Sequence, residues 1–80
     1  MKLMVFVVDN AHAEQTVDAL VGAGFRVTRL ASTGGWLRKG NTTLLVGLED
    51  QEASHSIEVV RQAAPGALAV MLPLERFERL

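Results

Sequence analysis

Lys2 to Val8 (KLMVFVV) is a continuous, largely β-branched apolar run, and it predicts a strand buried on both faces. Asp9 and Asn10 follow with turn chemistry and a helix cap. From Ala11 to about Ala23 the apolar positions Ala13, Val17, Leu20 and Val21, with Gly24, follow a helical stripe, while Glu14, Gln15 and Asp18 face outward. Gly22 and Gly24 are expected to end this helix. Phe25 to Ser32 alternates as a second strand, with Phe25, Val27 and Arg29 on one side and Arg26, Thr28 and Leu30 on the other. Thr33 to Gly40 reads as loop. Thr42 to Leu48 (TTLLVGL) is a third strand with Gly47 in its interior, where glycine marks a bulge or the close approach of another group. Glu49 to Gln51 opens a second helix whose stripe is Ala53, Ile57, Val60 and Ala64, and Pro65-Gly66 closes it with a tight turn. Ala67 to Leu72 is the fourth strand, Pro73 stops it, and Phe77 and Leu80 are candidate anchors in the tail.

The order β-α-β-β-α-β predicts an α+β fold, the ferredoxin-like sandwich, with an antiparallel four-stranded sheet and two helices on one face. Strands one, three and four are apolar on both sides, so two helices leave one apolar sheet face uncovered. A second copy of the chain is the expected cover, which predicts a closed homo-oligomer. Eighty residues form one domain, residues 1–80, near the lower size limit for a self-sufficient core.

Composition narrows the function classes. With 49% hydrophobic and 21% charged residues the chain is globular, and with no cysteine it has no disulfide, thiolate nucleophile or cysteine metal site. The start is too short for a spanning helix and is interrupted where a signal peptide would continue, so the expectation is a cytoplasmic protein with no membrane partner. Net charge is -1, which argues against binding a nucleic-acid polymer. Charge is nevertheless uneven. Residues 26–43 (RVTRLASTGGWLRKGNTT) hold four of the eight basic residues and the only tryptophan, and no acidic residue lies between Asp18 and Glu49. Such a window fits a small-anion site as well as a solvated turn.

The run Gly35-x-x-x-x-Gly40-Asn41-Thr42 is a near miss to a P-loop. Asn41 stands where the lysine belongs, and the loop joins two strands rather than a strand and a helix. Backbone N–H groups with Arg38 and Lys39 remain as phosphate donors. On the strand before it, Arg26 and Thr28 share a face, fit for a purine and phosphate or for a salt bridge. Trp36, beside Leu37, offers a stacking wall for a base or a contact for another subunit. Asn41 either shapes the loop exit or reads a base edge. His12 and His55 stand apart from any ligand-spaced partner, and no catalytic triad, carboxylate pair or metal cluster is present. The expectation is no enzyme, no cofactor and no metal.

The elements Arg26-x-Thr28, Leu30-Ala31-Ser32-Thr33-Gly34-Gly35-Trp36-Leu37-Arg38-x-Gly40-Asn41-Thr42-Thr43 and Gly47 resemble the PII-like family of cyclic-di-AMP receptors. The likeness includes the first helix (DALVGAGFRVT) and Ala67 to Leu80, so it covers most of the chain. It implies a ferredoxin-like homotrimer that binds the small nucleotide cyclic-di-AMP in clefts between subunits and catalyses nothing. Carried over by residue, it sets Arg26 and Thr28 against adenine and phosphate, and Trp36 and Leu37 against a base. Asn41 and the Gly47 backbone take hydrogen-bonding positions, and Gly35 admits close approach. Two departures stand out. Pro65-Gly66 replaces a long loop that conveys the family's signal to a protein partner, and Arg79 aligns with a glutamine. Arg26, Arg38 and Arg79 are then expected to balance the phosphates, and binding to reorder the loop from Gly34 to Gly40. Two other readings compete: a trimeric interaction scaffold that has lost the nucleotide, and an acylphosphatase-type hydrolase. Asp9-Asn10-Ala11-His12 lacks the arginine-bearing phosphate loop the latter needs.

Overall fold

A computed structural model describes residues 1–30, 40–76, 78 and 80. Its elements are β1 (Lys2–Asp9), α1 (Asn10–Gly22), β2 (Val27–Leu30), β3 (Asn41–Leu48), a single 3₁₀ turn (Asp50–Glu52), α2 (Ala53–Ala63) and β4 (Leu68–Pro73). The sheet runs β2-β3-β1-β4 with every neighbouring pair antiparallel, the ferredoxin-like arrangement. Strand two begins at Val27 rather than Phe25. The fourth strand includes Pro73, which an edge strand tolerates because one side of its backbone has no ladder to feed.

Strand parity divides the sheet into two unlike faces. Met4, Phe6 and Val8 of β1 and Leu44, Val46 and Leu48 of β3 are buried under the two helices. On the opposite face Leu3, Val5 and Val7 are only half-buried, so β1 is not enclosed on both sides by one chain. Their β4 partners Leu72, Val70 and Leu68 are 44%, 39% and 58% exposed, which makes this face a continuous apolar surface.

Asp9 caps α1. Its Oδ1 accepts from the His12 N–H at 3.0 Å and lies 2.7 Å from His12 Nδ1. The side-chain bond from His12, helped by the backbone bond, holds the Asp9 carboxyl below its ordinary value. The buried stripe of α1 is Ala13, Thr16 and Leu20, with Val17 half-buried, whereas Val21 is 57% exposed. Val21 lies about 100° beyond Leu20 around the helix, past the edge of the face that α2 covers. Thr16 is buried without penalty because its hydroxyl donates to the His12 carbonyl at 2.7 Å. Ser56 does the same in α2, donating to Ala53 O at 2.8 Å. Small side chains at these positions let the helices approach, and Gln15 Nε2 ties α1 to the end of α2 through Ala63 O at 2.7 Å.

Gly24, not Gly22, takes the left-handed conformation after α1, with φ of 94°. Phe25 N–H donates to Leu20 O and Gly24 N–H to Val21 O, both at 3.0 Å, which forms a Schellman motif with Phe25 and Leu20 buried together. A methyl group added at Gly24 meets nothing within 4 Å, so the cost of Gly24→Ala is conformational alone. We expect it to be about 1–2 kcal/mol, read from the midpoint of chemical denaturation. The second tight turn is as expected: Ala67 N–H donates to Ala64 O at 3.1 Å across Pro65 and Gly66, and Gly66 has φ of 89°. Proline followed by positive-φ glycine is the type II pattern.

Candidate functional site

Four of the nine expected ligand residues are described, and all four belong to β2, β3 or their immediate ends. Gly35, Trp36, Leu37, Arg38 and Arg79 lie outside the described residues, as does most of the loop expected to reorder. The β2–β3 register sets Val27 opposite Val46 and Thr28 opposite Leu45. Continued by one residue, it brings Arg26 to Gly47, so the guanidinium and the interior glycine share one end of the hairpin. Thr28 pairs with half-buried Leu45, and Gly47 is two residues further along the same face and exposed. That face is the one the helices leave uncovered.

A groove of about 760 Å³ runs along this end of the sheet, and Arg26, Thr28, Leu45 and Gly47 line it together. Phe25, held by the Schellman motif, gives it part of its base. Arg26 is exposed and has no hydrogen-bond or ion-pair partner among the described residues. Arg29, three residues on and on the opposite face, is committed elsewhere: its Nη2 donates to Glu14 Oε2 at 2.8 Å on the helix side. An ideal Cβ built on Gly47 meets nothing within 4 Å. Nothing within the described chain therefore requires glycine at this position, neither backbone angle nor crowding.

Glu49, Glu52 and Glu78 also line the groove, and the sequence reading did not anticipate them. Glu49 follows Gly47 by one strand period, which is the signal that placed it on the same side. Among the described residues the groove is thus lined by three carboxylates and one guanidinium, a charge balance in which a dianion requires further cations.

Asn41 stands at the other end. It opens β3 opposite Asp9, so about 20 Å of strand, at roughly 3.4 Å per residue, separates it from Gly47. Its surroundings are fixed. Asn10 N–H donates to Gly40 O at 2.8 Å, and Thr42 Oγ1 donates to Asn10 Oδ1 at 2.6 Å. Gly40 has φ of 96° and leads directly into a strand, which excludes the strand-to-helix geometry of a P-loop.

Among the described residues no group of His, Asp and Glu is assembled as a metal site, and no helix is long and apolar enough to cross a membrane. Comparison with known proteins bears on the rest. A crystal structure of a functionally unknown protein from Pediococcus pentosaceus superposes with a TM-score of 0.84 at 28% identity, over 99% of this chain and 96% of that one. Its likeness extends the ferredoxin-like fold over essentially the full length. The sequence pattern of the cyclic-di-AMP receptors matches residues 1–73, all but the last seven positions. On that match, this chain belongs to the cyclic-di-AMP receptor family.

Proposed function

We propose that the chain is a cytoplasmic, non-catalytic signalling protein that binds cyclic-di-AMP, or a related adenine nucleotide, between the subunits of a homotrimer. One observation carries the proposal: Thr28, Asn41 and Gly47 stand on the same sheet face as the half-buried apolar row of β1 and the exposed one of β4. A surface that must be covered and a surface that must meet a ligand are one surface, so covering it with a second copy builds a cleft at the candidate residues. The charge of the groove supports the same reading. One guanidinium against three carboxylates is a poor receptor for two phosphates, and a neighbouring copy supplies further arginines. Arg26, Arg38 and Arg79 then balance phosphate charge, Trp36 and Leu37 wall a base, and Gly35, Thr28, Asn41 and the Gly47 backbone contact the nucleotide.

Val70 tests this arrangement away from the groove. It faces the open side opposite Val5, is 39% exposed, and is not among the groove residues. Val70→Lys is expected to fold, because the chain alone leaves room for the longer side chain. It should reduce the sedimenting mass about threefold, from trimer to monomer, and remove cyclic-di-AMP binding with it. A variant that stays assembled, or a monomer that binds as tightly as the native protein, would count against a site between subunits.

A second reading has one observation in its favour. The closed turn from Ala64 to Ala67 leaves no long loop before β4, so a trimeric scaffold that meets a protein partner without nucleotide fits that feature. The same titrations separate the two.

A further inference from the structure

Thr43 is 3% exposed, and its Oγ1 is the one buried side-chain polar atom without a hydrogen-bond partner among the described residues. The other buried hydroxyls among the described residues are matched: Thr16 to His12 O and Ser56 to Ala53 O. A solvent-facing threonine would be satisfied by water and would say nothing. A shielded, unmatched hydroxyl lowers stability and calls for an explanation.

Its position supplies one. Thr43 pairs with Val7 on one side and Leu30 on the other, on the face opposite the helices. It lies two residues from Asn41 along β3 and diagonal to Thr28 on β2, a neighbour spacing of roughly 7–8 Å. The described part of the candidate site therefore forms a row from Asn41 through Thr43 and Leu45 to Gly47, with Thr28 alongside. Thr42, between Asn41 and Thr43, points to the helix side and is bonded to Asn10. A nucleotide that spans from Asn41 to Gly47 crosses Thr43.

We propose that the Thr43 hydroxyl is a ligand-binding group that hydrogen-bonds the base of the bound nucleotide; this rests on the nucleotide-receptor reading above. A base edge suits it better than a phosphate. Val7, Leu30 and Leu45 make the surroundings apolar, and an anion placed there would lie unpaired. The described guanidinium of the groove, Arg26, is at the far end of the row near Gly47. The ligand would accordingly lie with a base over Asn41 and Thr43 and a phosphate toward Arg26. Because a hydroxyl both donates and accepts, it suits a ring nitrogen or an exocyclic amine.

The test compares Thr43→Val and Thr43→Ser with the native protein by calorimetric titration with cyclic-di-AMP and by thermal unfolding without it. Valine keeps the shape and removes the hydroxyl. The unliganded Thr43→Val protein is expected to be as stable as the native one or more so, while its affinity falls about tenfold. Thr43→Ser should bind within about threefold of native, since it keeps the hydroxyl. Unchanged affinity in Thr43→Val, with native binding intact, would overturn the role of Thr43 and leave the receptor reading standing. Loss of stability in unliganded Thr43→Val would also overturn it, because the hydroxyl would then have a partner in the free protein. Absence of binding by the native protein would overturn the receptor reading, and this inference with it.

Discussion

Gly47→Val is expected to abolish nucleotide binding while leaving the chain as stable as before. The space around an added Cβ is empty to 4 Å, and Gly47 has no positive φ that would strain another residue. Glycine inside a strand weakens it, so valine should hold or raise stability, by up to about 1 kcal/mol. A structural role cannot account for glycine at a place where the fold prefers something else. Close approach of a group from outside the chain can. The isopropyl group would occupy the position of a ligand atom that reaches the Gly47 backbone, and affinity should fall by about 100-fold or more, roughly 2.7 kcal/mol. Calorimetry and denaturation of the same preparation separate the two effects. Loss of stability alongside loss of binding would return Gly47 to the fold.

Arg26→Ala is expected to weaken cyclic-di-AMP binding by about 10- to 100-fold, again without a change in stability. The side chain is exposed and makes no bond among the described residues. Arg26→Lys should recover only part of the affinity. An ammonium restores the charge but not the planar fork that meets two phosphate oxygens at once. The salt dependence of binding should become shallower in Arg26→Ala, which a loss of packing would not produce. Affinity unchanged in Arg26→Ala would remove the guanidinium from the site.

How far the sequence discloses this molecule depends on the kind of signal. Asp9 as a cap, Pro65-Gly66 as a turn and the strand pattern of β1 are local, and local chemistry decided each. The uncovered sheet face was legible as well, because apolar residues at both parities of three strands exceed what two helices can cover. The inner face of α1 was not. Val21 looks buried by type and Thr16 looks exposed by type, yet Thr16 satisfies its own hydroxyl within the helix and packs, while Val21 falls past the contact. For the site, alternation placed Arg26 and Thr28, and the strand glycine marked Gly47. That these three meet in one groove follows from the β2–β3 register, which no single strand states. Glu49, Glu52 and Glu78 escaped notice because their company is tertiary. Thr43 was visible only as part of a motif. Its unmatched hydroxyl is a property of burial, and burial is decided by the assembled sheet.

Nucleotide binding by the native protein can be followed through its only tryptophan. Purified native protein is titrated with cyclic-di-AMP, ATP and AMP while Trp36 fluorescence is followed, with calorimetry in parallel. A saturable change with cyclic-di-AMP at about one ligand per subunit is expected, since a three-fold ring has as many clefts as subunits. Neither heat nor a fluorescence change with any of the three nucleotides would contradict it, and would leave the assembled sheet face as a scaffold for a protein partner.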